Sequence, residues 1–420
     1  MPRMTEPGGV VIEGTMGSPD SDRTRYRWVI LALLWLLYVA FGMVQRAIAP
    51  LVTPILADLD LSYTQMGFIL GSWQLTYIAA ALVTGALIDR WGIRKSLLAG
   101  AVFLGLSSAL RYSAGGFGSM LGAVAIAGIG GPMISVGCPK AIALWFEGKG
   151  RGTAIGIYLT GAWIGGIFAL TLTNSLIMPL VGMSWRNAFL FYGLLTFAAG
   201  IIWWLLGRDT PRQLAPAEAP GMISLLVRFS RVREILIVLV LGLLVFAILH
   251  ALTNWLPKIL ETGGFSPALA GMATAIPLAA GIPTLLVVPG LVAPHWRGRY
   301  LAVSSLLILV SLVLIMSASG GLLLAGLVIF GVVIAPFFPM LTLILMDTPE
   351  VGSAHMGSAG GMFFCVSEIG GFAGPLIMGA IVDVTGSFQM GNLFFVMLCL
   401  AVFVLSLRLK TKPPRAAEIV

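Results

Sequence analysis

Residues 85–95 read Gly85-Ala86-Leu87-Ile88-Asp89-Arg90-Trp91-Gly92-Ile93-Arg94-Lys95. This short charged stretch joins two long apolar runs. Only 10% of the 420 residues are charged and 58% are hydrophobic, whereas the surface of a soluble globule needs about a quarter charged residues. A loop of fixed acid and bases between such runs reads as a membrane edge, and the acid–base pair suggests a moving joint. The apolar runs alone make the chain an integral membrane protein.

A membrane helix needs about 20 mostly apolar residues. Twelve stretches qualify, at about 28–56, 63–88, 96–113, 118–146, 152–176, 185–206, 233–259, 267–293, 299–317, 321–346, 353–382 and 388–408. The longest polar connection, 207–232, contains Pro211, Pro216 and Pro220 and splits the chain six and six. The expected organisation is an all-α polytopic protein with a six-helix bundle over 28–206, a cytoplasmic linker over 207–232 and a second bundle over 233–409. Residues 1–27 are polar and rich in Gly, Ser, Pro and Asp, and are expected to form a disordered cytoplasmic tail. Residues 410–420 form the other tail. No short apolar core with a small-residue cleavage site precedes the first span, so no cleaved signal peptide is expected. Cys138, Cys365 and Cys399 fall inside apolar runs and read as small hydrophobes, not as disulfide or metal partners.

Lysine and arginine set the orientation. With the N-terminus inside, the inner segments hold twenty of the 25: four in the tail, Arg90, Arg94 and Lys95, Lys149 and Arg151, five over 208–233, Arg297 and Arg299, and four at the C-terminus. The outer loops hold Arg111, Arg186 and Lys258. Both termini are thus expected in the cytoplasm, in a plasma or inner membrane. The net charge of +8 becomes a matter of membrane topology, with an anionic inner leaflet as partner and no nucleic acid.

The two halves repeat. Gly85, Trp91 and Arg94 match Gly290, Trp296 and Arg299 at an offset of 205 residues, and Gly152, Ala154, Gly156, Ile164, Gly165 and Gly166 match Gly357, Ala359, Gly361, Ile369, Gly370 and Gly371 at the same offset. Six helices per repeat is an even number, so both copies share one orientation. The 85–95 loop closely resembles the signature loop of the major facilitator superfamily, G-x-L-a-D-r-x-G-r-k, which follows the second transmembrane helix. The resemblance implies two parallel repeats, with substrate bound near the midplane between the halves. The second copy of the loop is degraded, since Pro294 stands where Asp89 stands in the first.

The resemblance also implies a gating role for Gly85, Asp89, Arg90, Gly92 and Arg94. Asp89 would pair with neighbouring loop charges, cap an adjacent helix end and hold the halves together in the outward-open state. Gly92 permits the tight turn. A purely topological reading remains: a positive-inside anchor with an incidental acid.

Ionisable residues deep in a bilayer are costly and are functional candidates by default. Arg46 on the first span is about ten residues, roughly 15 Å, from the outer end if that helix runs to about Ala57. Gly42, four residues earlier, is expected to leave space beside it. In anion-carrying members of the superfamily an arginine here often contacts substrate, and Arg46 resembles that residue; otherwise it snorkels outward. Glu368 lies in the middle of the eleventh span among glycines, too deep and too short to snorkel. It is expected to bind substrate and, if protons are the coupling ion, to carry them; otherwise it is a carboxyl at a tight crossing. His250 and Asn254 are four apart on the seventh span and share a face, as substrate ligands or as ordinary interhelical glue. Lys140, near Trp145 and Phe146, is expected to snorkel to the interface. Trp163 occupies, at the 205-residue offset, the position that Glu368 holds in the second repeat.

No G-x-x-x-x-G-K-[ST] loop is present, which excludes that route to ATP drive. No catalytic constellation marks an enzyme, and no cofactor or metal is expected. The fifth span lacks the Gly-Pro pair that marks many proton-antiporting drug exporters. The expected function is secondary transport of a small solute, an organic or inorganic anion, by a monomer working through alternating access. Asn254-Trp255-Leu256-Pro257 and the stretch from Trp145 to Gly156 resemble anion:cation symporters and cyanate and oxalate/formate-type transporters. Two rivals stand beside this: a proton-coupled exporter of amphipathic compounds using Glu368, and a non-transporting receptor or assembly protein on the same fold.

Overall fold

A computed structural model describes residues 19–209, 229, 231–317, 319–351 and 355–409. Most of the expected N-terminal tail, most of the 207–232 linker and the tail from 410 lie outside the described residues. The first helix begins at Pro19, inside the segment expected to be a tail through residue 27.

Twelve helices are long and apolar enough to cross a membrane. We number them α1 Tyr26–Asp58, α2 Tyr63–Trp91, α3 Ile93–Ser113, α4 Phe117–Trp145, α5 Gly150–Leu180, α6 Trp185–Leu206, α7 Arg233–Thr262, α8 Pro267–Leu291, α9 Pro294–Ser317, α10 Gly320–Met346, α11 Ser358–Thr385 and α12 Phe388–Leu407. Local chemistry sets several boundaries. Ser62 and Gln65 form a reciprocal capping box at the start of α2, and Ser184 and Ser266 cap α6 and α8. Gly92, at φ +80°, makes the one-residue turn between α2 and α3, a conformation that a side chain would strain. The regular helix of α1 ends at Arg46 and resumes at Val52 after a short 3₁₀ turn over Ala49–Leu51, because Pro50 lacks the N–H that would continue the ladder.

The halves pack as true repeats. Within the first, α1 lies on α5, α2 on α4 and α3 on α6; within the second, α7 lies on α11, α8 on α10 and α9 on α12. Between halves the exchange is reciprocal, α2 against α11 and α5 against α8. Glycines set the closest crossings. A Cβ on Gly165 would run into the Val39 carbonyl of α1, and a Cβ on Gly370 into the Leu243 carbonyl of α7. These two glycines are one repeat apart, so the periodicity in the sequence is a packing requirement.

The conformation is asymmetric across the membrane. We call the side bearing the 85–95 loop the basic face. All the cross-half hydrogen bonds among the described residues lie at mid-depth or toward the opposite face. Tyr63 and Thr64 N–H groups donate to Asp383 at 2.9 and 2.7 Å, Thr53 donates to Glu261, and Asn174 donates to the Pro267 carbonyl at 3.2 Å. At the basic face no hydrogen bond ties the halves together among the described residues. By these contacts the opposite face is closed and the basic one open.

Candidate functional site

Arg46 leaves α1 at the last residue before its break, and its Nη1 reaches across the halves to donate to Thr253 Oγ1 of α7 at 2.6 Å. Its alkyl stem rests on α5, where a Cβ on Gly166 would stand 3.2 Å from Arg46 Cγ. The space that Gly42 was expected to leave beside Arg46 does not exist. Gly42 faces the Ala162 backbone of α5, so its missing side chain serves a helix crossing.

Glu368 on α11 is 2% exposed. No hydrogen bond reaches it among the described residues, and its Oε2 is buried without a partner. A charge taken out of water without hydrogen bonds costs on the order of several kcal/mol. Glu368 and Arg46 both lie on membrane-spanning helices, one from each half.

His250 is also buried, with Nδ1 3.2 Å from Gln74 Nε2 of α2. Gln74 is wholly buried and its Oε1 has no partner. Gly371 sits at the meeting point: a Cβ there would lie 2.9 Å from Glu368 Oε2, 3.2 Å from Gln74 Nε2 and 3.2 Å from His250 Cδ2. Asn254, one turn beyond His250 on α7, is buried and makes no hydrogen bond among the described residues. The structure thus gathers Arg46, His250 and Glu368 at the seam and adds Gln74 and Thr253, neither of them ionisable and neither expected from the sequence. A glutamine inside an otherwise apolar span was the available signal.

Aromatic rings continue this cluster toward the open face. Trp73 and Tyr77 of α2 are edge-on at 5.8 Å. Tyr77 meets Phe364 of α11 across the halves at 5.4 Å, and Phe364 meets Phe246 and Phe338 at 6.2 and 6.0 Å. On the other side Trp73 adjoins Phe41 at 6.5 Å, and Phe41 adjoins Tyr38 at 5.6 Å. The rings bridge both halves.

The charged joint differs from expectation. Asp89 does not pair with Arg90, Arg94 or Lys95. It pairs with Lys140, 51 residues further on, on α4; Lys140 is therefore an ion-pair partner and not simply an interfacial anchor. Nor does Asp89 cap α3. That role falls to Asp209, past the end of α6, which accepts from the Arg94 N–H at 3.1 Å. The Arg94 guanidinium donates to the Trp204 carbonyl at 3.2 Å and lies over the Trp204 ring at 4.5 Å. Arg90 is exposed, and Gly85 opens onto empty space. With the basic face open, all these contacts stay within the first half.

The profile of the Major Facilitator Superfamily matches residues 34–375. The chain belongs to the major facilitator superfamily. It is a multi-pass membrane protein and a secondary transporter, with the superfamily's two parallel six-helix repeats. Among characterised relatives it is 27% identical, over 353 residues, to the hexuronate transporter of Bacillus subtilis (strain 168), covering 79% of this chain and 82% of that one. It is 28% identical, over 278 residues, to the 3-(3-hydroxy-phenyl)propionate transporter of Escherichia coli (strain K12), covering 64% and 66%. The fold superposes on a bacterial homologue of the human lysosomal transporter Spinster, in its inward-facing and unoccupied conformation, with a TM-score of 0.75 at 17% identity, over 92% of this chain and 99% of that one. As a superfamily member it is a transporter and not an enzyme.

Proposed function

We infer that this transporter carries a small organic anion between its halves and couples that movement to protons. The observation that supports it best is the placement of Arg46 and Glu368, one from each half, at the seam that must part and re-form: Arg46 reaches across it to Thr253, and Glu368 lies around Gly371 with Gln74 and His250. The Arg46 guanidinium offers a planar fork suited to a carboxylate. His250 and Asn254 of α7 supply further hydrogen-bonding groups at the seam. Glu368 lacks any donor, so its charge is uncompensated unless it takes a proton. An anion near Arg46 binds better when Glu368 is neutral. By linkage, the proton then binds better when the anion is present, which is symport. Two relatives are named for carboxylic acids, hexuronate and a hydroxyphenylpropionate, in keeping with an anionic cargo.

Gly85, Asp89, Arg90, Gly92 and Arg94 form the joint that closes the basic face, with Asp89 held by Lys140 in the open state. The basic face is the cytoplasmic one, carrying both termini and the linker, and it contacts the anionic inner leaflet of a plasma or inner membrane. The transporter works as a monomer, with an N-terminal bundle over 28–206 and a C-terminal bundle over 233–409.

The test is Glu368→Gln in proteoliposomes, compared with wild type for counterflow exchange and for pH-driven uptake of the same anion. Retained exchange with lost pH-driven accumulation is the expected result. Surviving accumulation would make Glu368 structural and place coupling elsewhere.

A further inference from the structure

The identity of the anion's body is a separate question from its charge. The polar groups at the seam are few, and most hydroxyl protons around it are already committed. Thr253 donates to the Leu249 carbonyl at 2.7 Å, Thr274 to Ala270 at 2.8 Å, Thr284 to Gly281 at 3.0 Å and Ser367 to Phe363 at 2.7 Å, each to its own helix. A sugar acid has a hydroxyl on nearly every carbon, and each one stripped of water without a partner costs about 1–3 kcal/mol. The Asn254 amide and the unpaired Gln74 Oε1 remain uncommitted, fewer groups than such a cargo needs.

Ring surface is what the site has in excess. Trp73, Tyr77, Phe364, Phe246 and Phe338 form the chain of edge and tilted contacts described above. Its members are not all sealed: Phe364 is partly exposed and Phe338 is 38% exposed, although both pack against other rings in the interior. Both lie in the parts of α11 and α10 nearer the basic face, so a solute entering from that side reaches their level before that of Arg46.

Resting on the anion reading above, we propose that the substrate is an aryl carboxylate: a carboxylate for the Arg46 fork, joined by a short linker to an aromatic ring that takes a place in the Tyr77–Phe364 chain. Aromatic pairs prefer centroid separations of about 4.5–7 Å, the spacing the rings already hold between themselves. Polyhydroxylated acids are excluded by unpaired hydroxyls, a stronger discrimination than the loss of one apolar contact.

The experiment measures uptake into proteoliposomes of radiolabelled benzoate, phenylacetate, 3-phenylpropionate, butyrate and glucuronate, with 3-phenylpropanol and phenethylammonium as competitors. The expected result is saturable uptake of at least one aryl acid with kcat/KM at least about tenfold above that of glucuronate, and weak competition from the alcohol and the ammonium. Phe364→Leu, which keeps apolar bulk and removes the ring, should lower the preference for the best aryl acid over butyrate by about fivefold. An unchanged preference overturns the assignment of the ring chain. Saturable glucuronate uptake with no aryl acid transported overturns the proposal and leaves the anion reading intact. Stronger competition by phenethylammonium or the alcohol than by any acid overturns both. Uptake of none of the three aryl acids overturns the proposal.

Discussion

Replacing Asp383 by alanine tests the mechanism at the closed face. Asp383 sits at the end of α11 in the second half, yet it serves the start of α2 in the first. Its carboxylate accepts from Tyr63 N at 2.9 Å, from Thr64 N at 2.7 Å and from Thr64 Oγ1 at 2.5 Å. Ser62 caps only the Gln65 N–H, so the first two N–H groups of α2 depend on Asp383. Losing a capping acceptor costs about 1–2 kcal/mol, and a carboxylate at a helix N-terminus adds a few tenths more through the dipole. Asp383 is exposed and water replaces part of what is lost, so the lower figure applies. These contacts exist only while this face is closed, and only such a difference moves the equilibrium. About 1 kcal/mol corresponds to roughly a fivefold change in the ratio of the two states. Spin labels at Leu180 and Leu269, exposed at the opposite-face ends of α5 and α8, would report it by double electron–electron resonance in a background lacking Cys138, Cys365 and Cys399. The separated population should rise about fivefold over the close one, and Asp383→Asn should give a smaller shift. A ratio within twofold of wild type, or a shift toward closure, refutes the latch.

Asp89→Asn should slow transport without unfolding the protein. The Asp89 side chain is 68% exposed, so its pair with Lys140 contributes less than about 1 kcal/mol to stability; proteoliposome flux equal to wild type would contradict the joint. Arg46→Lys should weaken anion uptake and Arg46→Ala should abolish it, because lysine keeps the charge but loses the fork; unchanged transport by Arg46→Ala would reduce Arg46 to an anchor. A cysteine placed at Ser224 should resist an impermeant thiol reagent applied to intact cells, as the distribution of basic residues requires; labelling from outside would invert the topology.

The twelve spans are legible in the sequence because a bilayer asks for about 20 apolar residues whatever their identity, and the ends observed fall within a few residues of those read from hydropathy. The repeat is legible too, and Gly165 with Gly370 shows why: both permit a backbone crossing that any side chain would block. Pairings across long separations are hidden. Asp89 has three bases within six residues, and nothing in the sequence favours Lys140 over them; the choice is made by the packing of α2 on α4. Gln74 is hidden for a different reason. Its amide carries no charge, so the cost that marks a buried ion does not mark it, although a buried amide still needs partners. Gly42 misleads because a glycine beside an arginine offers room only where no helix fills it, and α5 does. The direction in which the molecule is open is not legible at all, since one sequence encodes both states.

The two seams between the halves have unlike chemistry although the repeat relates them. Where α5 meets α8 the contacts at mid-depth are apolar, from Trp163 against Gly281 to a small cluster of Ala49, Leu170, Ala275 and Leu278, and the one cross-half hydrogen bond between these helices among the described residues, Asn174 to the Pro267 carbonyl, lies at the closed end. Where α2 meets α11, the residue equivalent to Trp163 is Glu368, with Gln74 and His250 of α7 beside it. Parting the first seam exposes apolar surface at a cost of roughly 25 cal/mol per Å² wherever water follows. Parting the second breaks the contact between Gln74 and His250 and exposes a carboxyl that had no partner when closed, so solvation of Glu368 offsets part of the cost. Arg46 adds a third tie, to Thr253, that must also break. A substrate carboxylate on Arg46 and a proton on Glu368 change the energy of these polar contacts and leave the dry seam as it was. Control over the rocking motion therefore resides in the α2–α11 seam and at Arg46, while the α5–α8 seam supplies a passive apolar contact. That division explains how two halves of common origin can move together yet respond to one bound anion.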